Sequence, residues 1–263
     1  MFLFFLALTA SSALFAAPAE APSGQPSVAA IALAETVETV VDIDGNTYAT
    51  VRIGGQVWTV ENLRTTHFND GTAIPEVADA ANWKELTTPA LCHYQNDPVR
   101  SRVSGHLYNW YAASSPKIAP KGWRVPTLAE QLALRDYLIA HGYNADGSTK
   151  GNKVAKALAA AVAWPYLEND AYGKPTPDIP TMVGNHPETN NRSGFSALPS
   201  GCRWSDGTFH AGDTSVYWWS TTPHADDHAR HTSLHTWFAR FGDNHHHRRT
   251  GFSIRLIRDN PAL

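Results

Sequence analysis

The chain has few cysteines and little net charge, and these two features limit its possible disulfides and its possible partners. Cys92 and Cys202 are the only cysteines in 263 residues, so at most one internal disulfide can form. The residues leave open whether they pair or remain separate buried thiols; a bridge across so long a loop would stabilise by roughly 4–5 kcal/mol. The formal net charge of −3 provides no long-range field for nucleic acid or an anionic membrane.

The chain also lacks basic residues at its start, because no lysine or arginine precedes Arg52. Residues 2–17 are nevertheless almost wholly apolar, are short for a bilayer span, and lead into small residues. This pattern predicts a secretory signal peptide over residues 1–19 and a flexible spacer rich in Ala, Pro and Ser over residues 20–37. We therefore expect a secreted or cell-surface protein, without a lipoprotein anchor and without stable membrane insertion after signal cleavage.

Strand signals open the rest of the chain. Residues 39–60 are rich in β-branched residues and are broken at Asp44-Gly45 and Gly54-Gly55, which favour tight turns. They predict a three-stranded meander. The aromatic segment over residues 105–113 is expected to be a short helix or strand packed in the core.

Two helices are predicted in the middle of the chain. Residues 122–142 contain the clearer one, which begins after Thr127, has Glu130 completing a capping box, and ends at Gly142. Its apolar face is expected to consist of Leu128, Leu132, Tyr137 and Leu138. A second, Ala-rich helix is predicted over residues 151–164.

Strand signals resume after a Pro/Asn/Gly-rich loop over residues 165–194. The predicted strands cover residues 194–201, 216–222, 234–241 and 251–258. Strands, then helices, then strands again indicate an α+β domain whose N-terminal and C-terminal strands lie close together. Asp206-Gly207 is expected to form another hairpin turn. Trp218 and Trp219 could stack on sugar rings, since alternation would place one in the core and the other outward, but structural packing is the favoured prediction.

Six ordered motifs carry a family resemblance. The segment DIDGNTYATVRIGGQVWTVENLRTTHFNDGTAIP is followed by GHLYNWYAA, PKGWRVPTLAE, GCRWSDGTF, YWWSTT and GFSIRLIRD. This order resembles the Fibrobacter succinogenes major paralogous domain over about residues 39–259. The resemblance implies a C-type-lectin-like domain over residues 38–260, in an exported or surface protein of a family mostly without an assigned activity.

Departures from related patterns concern cysteine. Members of the family often have a cysteine before the P-x-G-W motif and another in the last strand, where this chain has Ala119 and Leu256. The resemblance therefore implies a lost disulfide.

The fold also resembles sulfatase-modifying, formylglycine-generating enzymes, which share a W-R-[LV]-P-T-x-A-E element. Those enzymes need a reactive cysteine pair near the C-terminus. No cysteine follows Cys202, and Gln131 replaces a usual tryptophan, so this alternative is disfavoured.

Residues 220–250 combine apolar anchors with dense polar side chains, which is typical of a binding surface. Seven of the thirteen histidines lie between His224 and His247. The predicted ligand contacts are His224, Asp226, Asp227, His228, Arg230, His231, His235, Arg240, Asp243, Asn244, His245, His247 and Arg248. We expect them to be exposed and to contact a protein or glycan ligand at a cell surface. Their imidazoles and guanidiniums favour anionic or aromatic partners. Because histidine titrates near pH ~6.5, acidification would strengthen binding to an acidic partner.

This segment also resembles the variable regions of diversity-generating retroelement systems, whose targets are often C-terminal parts of C-type-lectin-fold proteins. There, adenines mutate in codons that end in C, and such codons never encode Lys, Glu, Gln, Met or Trp. Residues 220–250 contain no Lys, Glu, Gln or Met, where roughly three or four would be expected, and Trp237 is their single tryptophan. Lys, Glu and Gln are, however, absent from all of residues 189–263, so the bias also fits the whole C-terminal part.

The spacing of the polar residues disfavours metal and catalytic sites. His224 and His228, like His231 and His235, are four residues apart, which aligns side chains on a helix but not in the predicted strands and loops. These spacings match no zinc signature, and no G-x-S-x-G element is present. We therefore expect no metal, no cofactor and no catalytic activity. A structural cell-envelope protein whose polar loop binds nothing is a third hypothesis.

Overall fold

The computed structural model describes residues 36–169, 174 and 179–259. The predicted signal peptide and residues 20–35 of the predicted spacer lie outside them, whereas Thr36 and Val37 at the end of the spacer open the first strand. No helix in the described ranges combines the length and the hydropathy of a membrane-spanning segment.

Short strands and short helices make up the domain. The strands are β1 (Thr36–Val41), β2 (Thr47–Ile53), β3 (Gln56–Thr59), β4 (Leu91–Cys92), β5 (Leu107–Tyr108), β6 (Trp123–Arg124), β7 (Cys202–Arg203), β8 (Phe209–His210), β9 (Ser215–Ala225), β10 (His228–His235), β11 (Gly242–His247) and β12 (Ile257–Arg258). The helices are α1 (Ala80–Lys84), α2 (Pro98–Ser104), α3 (Trp110–Ala113), α4 (Leu128–Ala140) and α5 (Ala155–Leu158), with 3-10 turns at Tyr94–Asn96 and Pro187–Thr189. The sheets are antiparallel and the helices few, which agrees with the predicted α+β class.

The first and last strands share a five-stranded sheet in the order β1-β2-β3-β12-β6. The predicted meander is confirmed by the antiparallel pairing of β2 with β1 and β3. Its turns place Gly45 at φ 83° and Gly54 at φ 59°, a backbone region that disfavours residues with a Cβ. Ile257 of β12 pairs with Trp58 of β3, so the N-terminal and C-terminal strands are neighbours, as predicted.

The start of the predicted long helix is confirmed in α4. Thr127 Oγ1 accepts a hydrogen bond from the Glu130 N–H at 3.3 Å, and the Glu130 carboxylate accepts one from the Thr127 N–H at 2.8 Å. The helix ends at Ala140, just before Gly142. The aromatic segment over residues 105–113 forms both β5 and α3, as a strand followed by a short helix.

The buried face of α4 agrees with the prediction at Leu138 but differs from it elsewhere. The residues it buries are Gln131, Leu134 and Leu138. Leu128 and Leu132 are only partly buried. Gln131 is a polar residue on the packed face, where its Nε2 donates to the Trp219 carbonyl oxygen at 3.2 Å.

The second predicted helix is much shorter than residues 151–164. At its C-terminal end α5 stops at Leu158, where Ala159 becomes extended (φ −69°, ψ 143°) and forms a bridge with Ala197. Lys156 is buried within α5, and its ammonium donates to the carbonyl oxygens of Met182, Asn185 and His186. The loop that follows α5 therefore folds back over it instead of extending the helix.

A second sheet, in the order β11-β10-β9, contains most of residues 220–250. The strand predicted over residues 216–222 is confirmed in β9. The strand predicted over residues 234–241 is wrong, because β10 begins at His228 and ends at His235. Residues 194–201 form isolated bridges instead of a strand, and residues 251–258 form a strand only at their end. The hairpin at Asp206-Gly207 is confirmed between β7 and β8.

Strand β9 lies between two hydrophobic clusters. Trp218 belongs to one cluster, and Trp219 belongs to the other, where it packs against Phe252. Both indoles are buried, so the expectation that one points outward is wrong. Their ring nitrogens donate to Asn62 Oδ1 at 2.8 Å and to the Tyr108 carbonyl oxygen at 2.9 Å. Both tryptophans are framework residues, as predicted.

Cys92 and Cys202 are free, buried thiols that belong to different hydrophobic clusters. Of the two alternatives left open by the sequence, the structure has separate thiols. Burial raises the pKa of Cys92 to about 12 and also raises the pKa of Cys202. Ala119 and Leu256, which replace the family cysteines, are both buried in the cluster that contains Trp219.

Candidate functional site

The second sheet brings most of the predicted contact residues together. The pairs on one face are His228 with His247, Arg230 with His245, and Thr232 with Asp243. They share a face because side chains alternate along each strand. Asp226 and Asp227 form the turn between β9 and β10 at one end of this face, and both are exposed.

Four histidine rings contact one another near the turn; we call His224, His228, His245 and His247 the histidine cluster. The rings of His224 and His245 stack with their centroids 3.9 Å apart. Asp227 Oδ1 lies 2.5 Å from His228 Nδ1, and Asp227 Oδ2 lies 3.6 Å from His247 Nε2. Desolvation, together with neighbouring positive groups, lowers the pKa of His245 and His247. These two residues are therefore expected to take up a proton below the ordinary pH ~6.5.

Arginines beside the cluster are already engaged. Arg230 Nη2 donates to Asp243 Oδ2 at 2.7 Å, and Arg135 of α4 lies 3.9 Å from the other oxygen of that carboxylate. The Arg248 guanidinium lies over the Trp110 ring, 4.6 Å from its centroid. This face therefore presents flat rings and hydrogen-bonding groups more than unpaired positive charge.

The opposite face of the sheet forms one wall of a cavity of about 400 Å³. The rings in its walls include those of Trp204, Tyr217 and His246, and the polar groups include those of Ser233, Arg240 and Asn244. The Trp204 indole stacks on the His246 imidazole, with centroids 4.7 Å and planes 18° apart. Small-molecule sites typically combine aromatic walls with a few polar groups, and this volume suits a small ligand or a single side chain.

His231 borders the same cavity but is buried, and its prediction requires a correction. It is 1% exposed, so the prediction that it is an exposed contact is wrong. Its Nε2 lies 2.8 Å from His246 Nδ1, and its Nδ1 lies 3.4 Å from the Thr232 carbonyl oxygen. Since a carbonyl only accepts, His231 donates from Nδ1 and accepts at Nε2, and His246 keeps a bare Nε2. Burial lowers the pKa of His231 strongly and that of His246 to about 4, so both rings are neutral at pH 7.

His235 is held through both ring nitrogens. Its Nδ1 lies 2.8 Å from Ser215 Oγ, and its Nε2 lies 3.1 Å from Ser233 Oγ. Burial lowers its pKa to about 4. Its ring lines the cavity, but its nitrogens are occupied, so a ligand would meet the ring and not a free imidazole nitrogen.

The remaining predicted contacts, Asp226, Arg240 and Asn244, are exposed. The Arg240 guanidinium stacks over the Phe238 ring, 4.8 Å from its centroid. Within the described ranges, no group of three or more His, Cys, Asp or Glu side chains is arranged to hold a metal ion. In the histidine cluster, His224 and His245 lie ring against ring, an arrangement that does not direct both sets of nitrogens at one point.

Sequence reasoning missed seven of the twelve residues that line the cavity, among them the rings of Trp204, Tyr217 and His246. A signal for His246 exists, because strand alternation places it on the face opposite His245 and His247. The contribution of Trp204 depends on where the β7–β8 hairpin lies over the second sheet, and no local pattern encodes that position.

These features define a class of protein: an α+β domain that fixes aromatic residues in its core and presents polar side chains on one small sheet. The chain belongs to the Fibrobacter succinogenes major domain family, whose model matches residues 51–258. The predicted family is thereby confirmed. No curated protein and no solved structure matches the chain.

Proposed function

We propose that the protein is an exported ligand-binding or adhesion module whose binding surface is formed by β9, β10 and β11. One observation carries the proposal. Except for His231, the predicted contacts are exposed or partly exposed on or beside one sheet, above buried aromatic residues. Substitution of side chains on such a surface can change the binding specificity while the buried framework stays constant.

We infer that the scaffold is C-type-lectin-like. Support comes from the family, together with the pairing of β3 and β12, which joins the two ends of the domain in one sheet. The separate three-stranded sheet then serves for recognition.

The proposed ligand is a protein or glycan at a cell surface. Arg230 and Asp243 neutralise each other, and the exposed charges of Asp226 and Arg240 are opposite, so the surface has little net charge while its histidines are neutral. Its rings favour aromatic groups and its amides and hydroxyls favour hydrogen-bonding ones. Acidification would add positive charge and strengthen binding to an acidic partner.

We further propose that residues 220–250 are diversified by a retroelement. Exposed members of this segment, such as Asp226, Asp227 and Asn244, would vary, whereas the buried Trp218 and Trp219 precede it. The test is genomic: a near-identical repeat of the coding segment for residues 216–258 should lie beside a reverse transcriptase gene, with mismatches at adenines. Mismatches spread over all bases would contradict diversification.

Binding itself is tested on glycan and peptide arrays with two charge-matched double variants. Asp226→Ser with Arg240→Ser alters the proposed surface. Glu85→Ser with Lys121→Ser removes two exposed charges elsewhere. We expect the first variant to lose array signals that wild type and the second variant share. Equal signals from all three proteins, or none from any, would favour the structural cell-envelope hypothesis.

The sulfatase-modifying alternative requires a reactive thiol. Burial and a raised pKa oppose thiolate formation at both Cys92 and Cys202, which speaks for binding over this chemistry. A turnover assay on cysteine-containing peptides, with Cys202→Ser as control, provides the test. Turnover that disappears in Cys202→Ser would overturn the binding proposal.

A further inference from the structure

Arg255 is a buried cation whose surroundings are mainly aromatic. Its side chain is 2% exposed and precedes β12. The guanidinium carbon lies 4.1 Å from the centroid of the Phe195 ring and 5.5 Å from that of Trp218. These rings stabilise a positive charge through their faces but accept no conventional hydrogen bond.

The hydrogen-bonding capacity of this guanidinium is largely unused. Nη1 donates to the Phe195 carbonyl oxygen, whereas Nε is buried without a partner. Throughout the described part of the chain, no carboxylate lies within 4.0 Å of Arg255, and Glu61 acts on it from beyond that distance, through a Coulombic attraction that raises its pKa. Desolvation lowers its pKa to about 9, so the group is still charged at pH 7. A buried charge without a directly contacting counter-ion is unfavourable, and such groups are normally paired at contact distance.

A cavity of about 390 Å³ opens beside Arg255. Its apolar lining consists of Val60, Val103, Ala160, Ala161, Val162 and Leu198. Val103 is 67% exposed and Val162 is 65% exposed, although large aliphatic side chains usually lie inside a folded domain. The cavity therefore offers an aliphatic wall that leads to an unpaired cation.

Two further polar groups line the same cavity. Ser196 Oγ accepts a hydrogen bond from Asn191 Nδ2 at 2.7 Å, so its hydroxyl hydrogen is available to a ligand. Glu61 is also part of the wall, and its Oε2 accepts from the Ala49 N–H at 2.9 Å. Its negative charge attracts the Arg255 guanidinium and opposes binding of a second anion there, so its removal can be used in the test.

We propose that this cavity is a binding site for an aliphatic carboxylate, separate from the sheet surface described above. The carboxylate accepts hydrogen bonds from the Arg255 guanidinium and the Ser196 hydroxyl, and the hydrocarbon body covers the valines and alanines. Charge and shape are both needed, because no anion contacts the guanidinium directly and the wall lacks an apolar cover. A short-chain carboxylic acid and the C-terminus of a peptide ending in valine share this chemistry.

Calorimetric titration of the domain with hexanoate, and with hexan-1-ol as the uncharged match, tests the carboxylate requirement. A peptide ending in valine, with a free or an amidated C-terminus, distinguishes the two sources. We expect at least one carboxylate to bind at least about tenfold more tightly than its neutral match. Absence of binding by both carboxylates, or equal binding of the neutral matches, would overturn the proposal.

Three variants locate the site. Ala161→Phe should abolish carboxylate binding by filling the cavity from an exposed position, without disturbing the core. Arg255→Met should weaken binding at least about tenfold, and if it does not fold, Ala161→Phe decides. Glu61→Gln keeps an acceptor for the Ala49 N–H and should tighten carboxylate binding severalfold, because a like charge is removed. Unchanged binding in Ala161→Phe would place the ligand elsewhere and refute the assignment.

Discussion

His231 and His246 are joined by a hydrogen bond of 2.8 Å between Nε2 and Nδ1 that crosses from β10 to β11. Because the Thr232 carbonyl fixes the proton of His231 on Nδ1, the bond also fixes the proton of His246 on Nδ1. The bare nitrogen left at the cavity wall is His246 Nε2. A residue excluded from direct contact thus determines what a ligand would meet.

We predict that His231 and His246 are neutral Nδ1–H tautomers at pH 7. Nitrogen chemical shifts from proton–nitrogen correlation spectra should show a protonated Nδ1 and a bare Nε2 in both rings. The pattern should persist well below pH ~6.5, because the pKa of His246 is about 4 and that of His231 is also strongly lowered. Titration of either ring near pH ~6.5 would contradict the arrangement.

His235 should make the fold sensitive to acid. Its pKa is about 4, below the ordinary 6.5, so the unfolded chain takes up a proton first as the pH falls. Stability that depends on the neutral ring is complete above pH ~6.5 and is lost progressively toward pH ~4. Each unit of difference between the folded and unfolded pKa corresponds to about 1.4 kcal/mol of unfolding free energy, so the loss is at most about 3 kcal/mol. Because the His235 ring is partly exposed and solvent screens it, we expect about 2 kcal/mol.

Denaturant unfolding of wild type and His235→Gln at about pH 7 and about pH 4.5 measures this loss. The glutamine amide can still bond to Ser215 and Ser233 but does not titrate. The difference in unfolding free energy between the two pH values should therefore be smaller in the variant. Identical pH dependence in both proteins would show that His235 is not the responsible group.

Framework and surface substitutions should have very different effects on stability. Trp219→Ala empties a fully buried site and should cost about 3–5 kcal/mol of unfolding free energy. Asn244→Ala, on the exposed part of β11, should change it by less than about 0.5 kcal/mol. Chemical denaturation checks both values. A large cost for Asn244→Ala would mean that the surface cannot vary independently of the fold.

The two thiols should be unreactive in the native protein. A thiol-specific chromogenic reagent should modify Cys92 and Cys202 slowly under native conditions and rapidly in denaturant, because both are buried and neutral. A reducing agent should leave the melting temperature unchanged. A drop in melting temperature on reduction would instead reveal a disulfide.

Sequence patterns predicted structure well where the cause is local. The turns at Gly45 and Gly54 and the cap at Thr127 depend on a few adjacent residues, and all three formed as expected. The early end of α5 was not predictable in this way. Lys156 finds its carbonyl partners only after the following loop folds back.

The candidate site shows the same difference between features with a local cause and features that depend on distant parts of the chain. Exposure of residues such as Asp226 and Asn244 follows from their polarity, and this expectation agrees with the structure. The burial of His231 does not follow from polarity, because it depends on a neighbouring strand supplying the His246 ring. The cavity likewise requires Trp204 from a distant hairpin.

The placement of Trp218 and Trp219 in separate hydrophobic clusters has a consequence for how the molecule melts. Because β9 contributes to both clusters, neither cluster can unfold without removing β9 from the other. The two clusters should therefore unfold together. Heating should then give one sharp endotherm, with equal calorimetric and van't Hoff enthalpies. The variable side chains of the three-stranded sheet would therefore be supported by a framework in which neither half unfolds before the other.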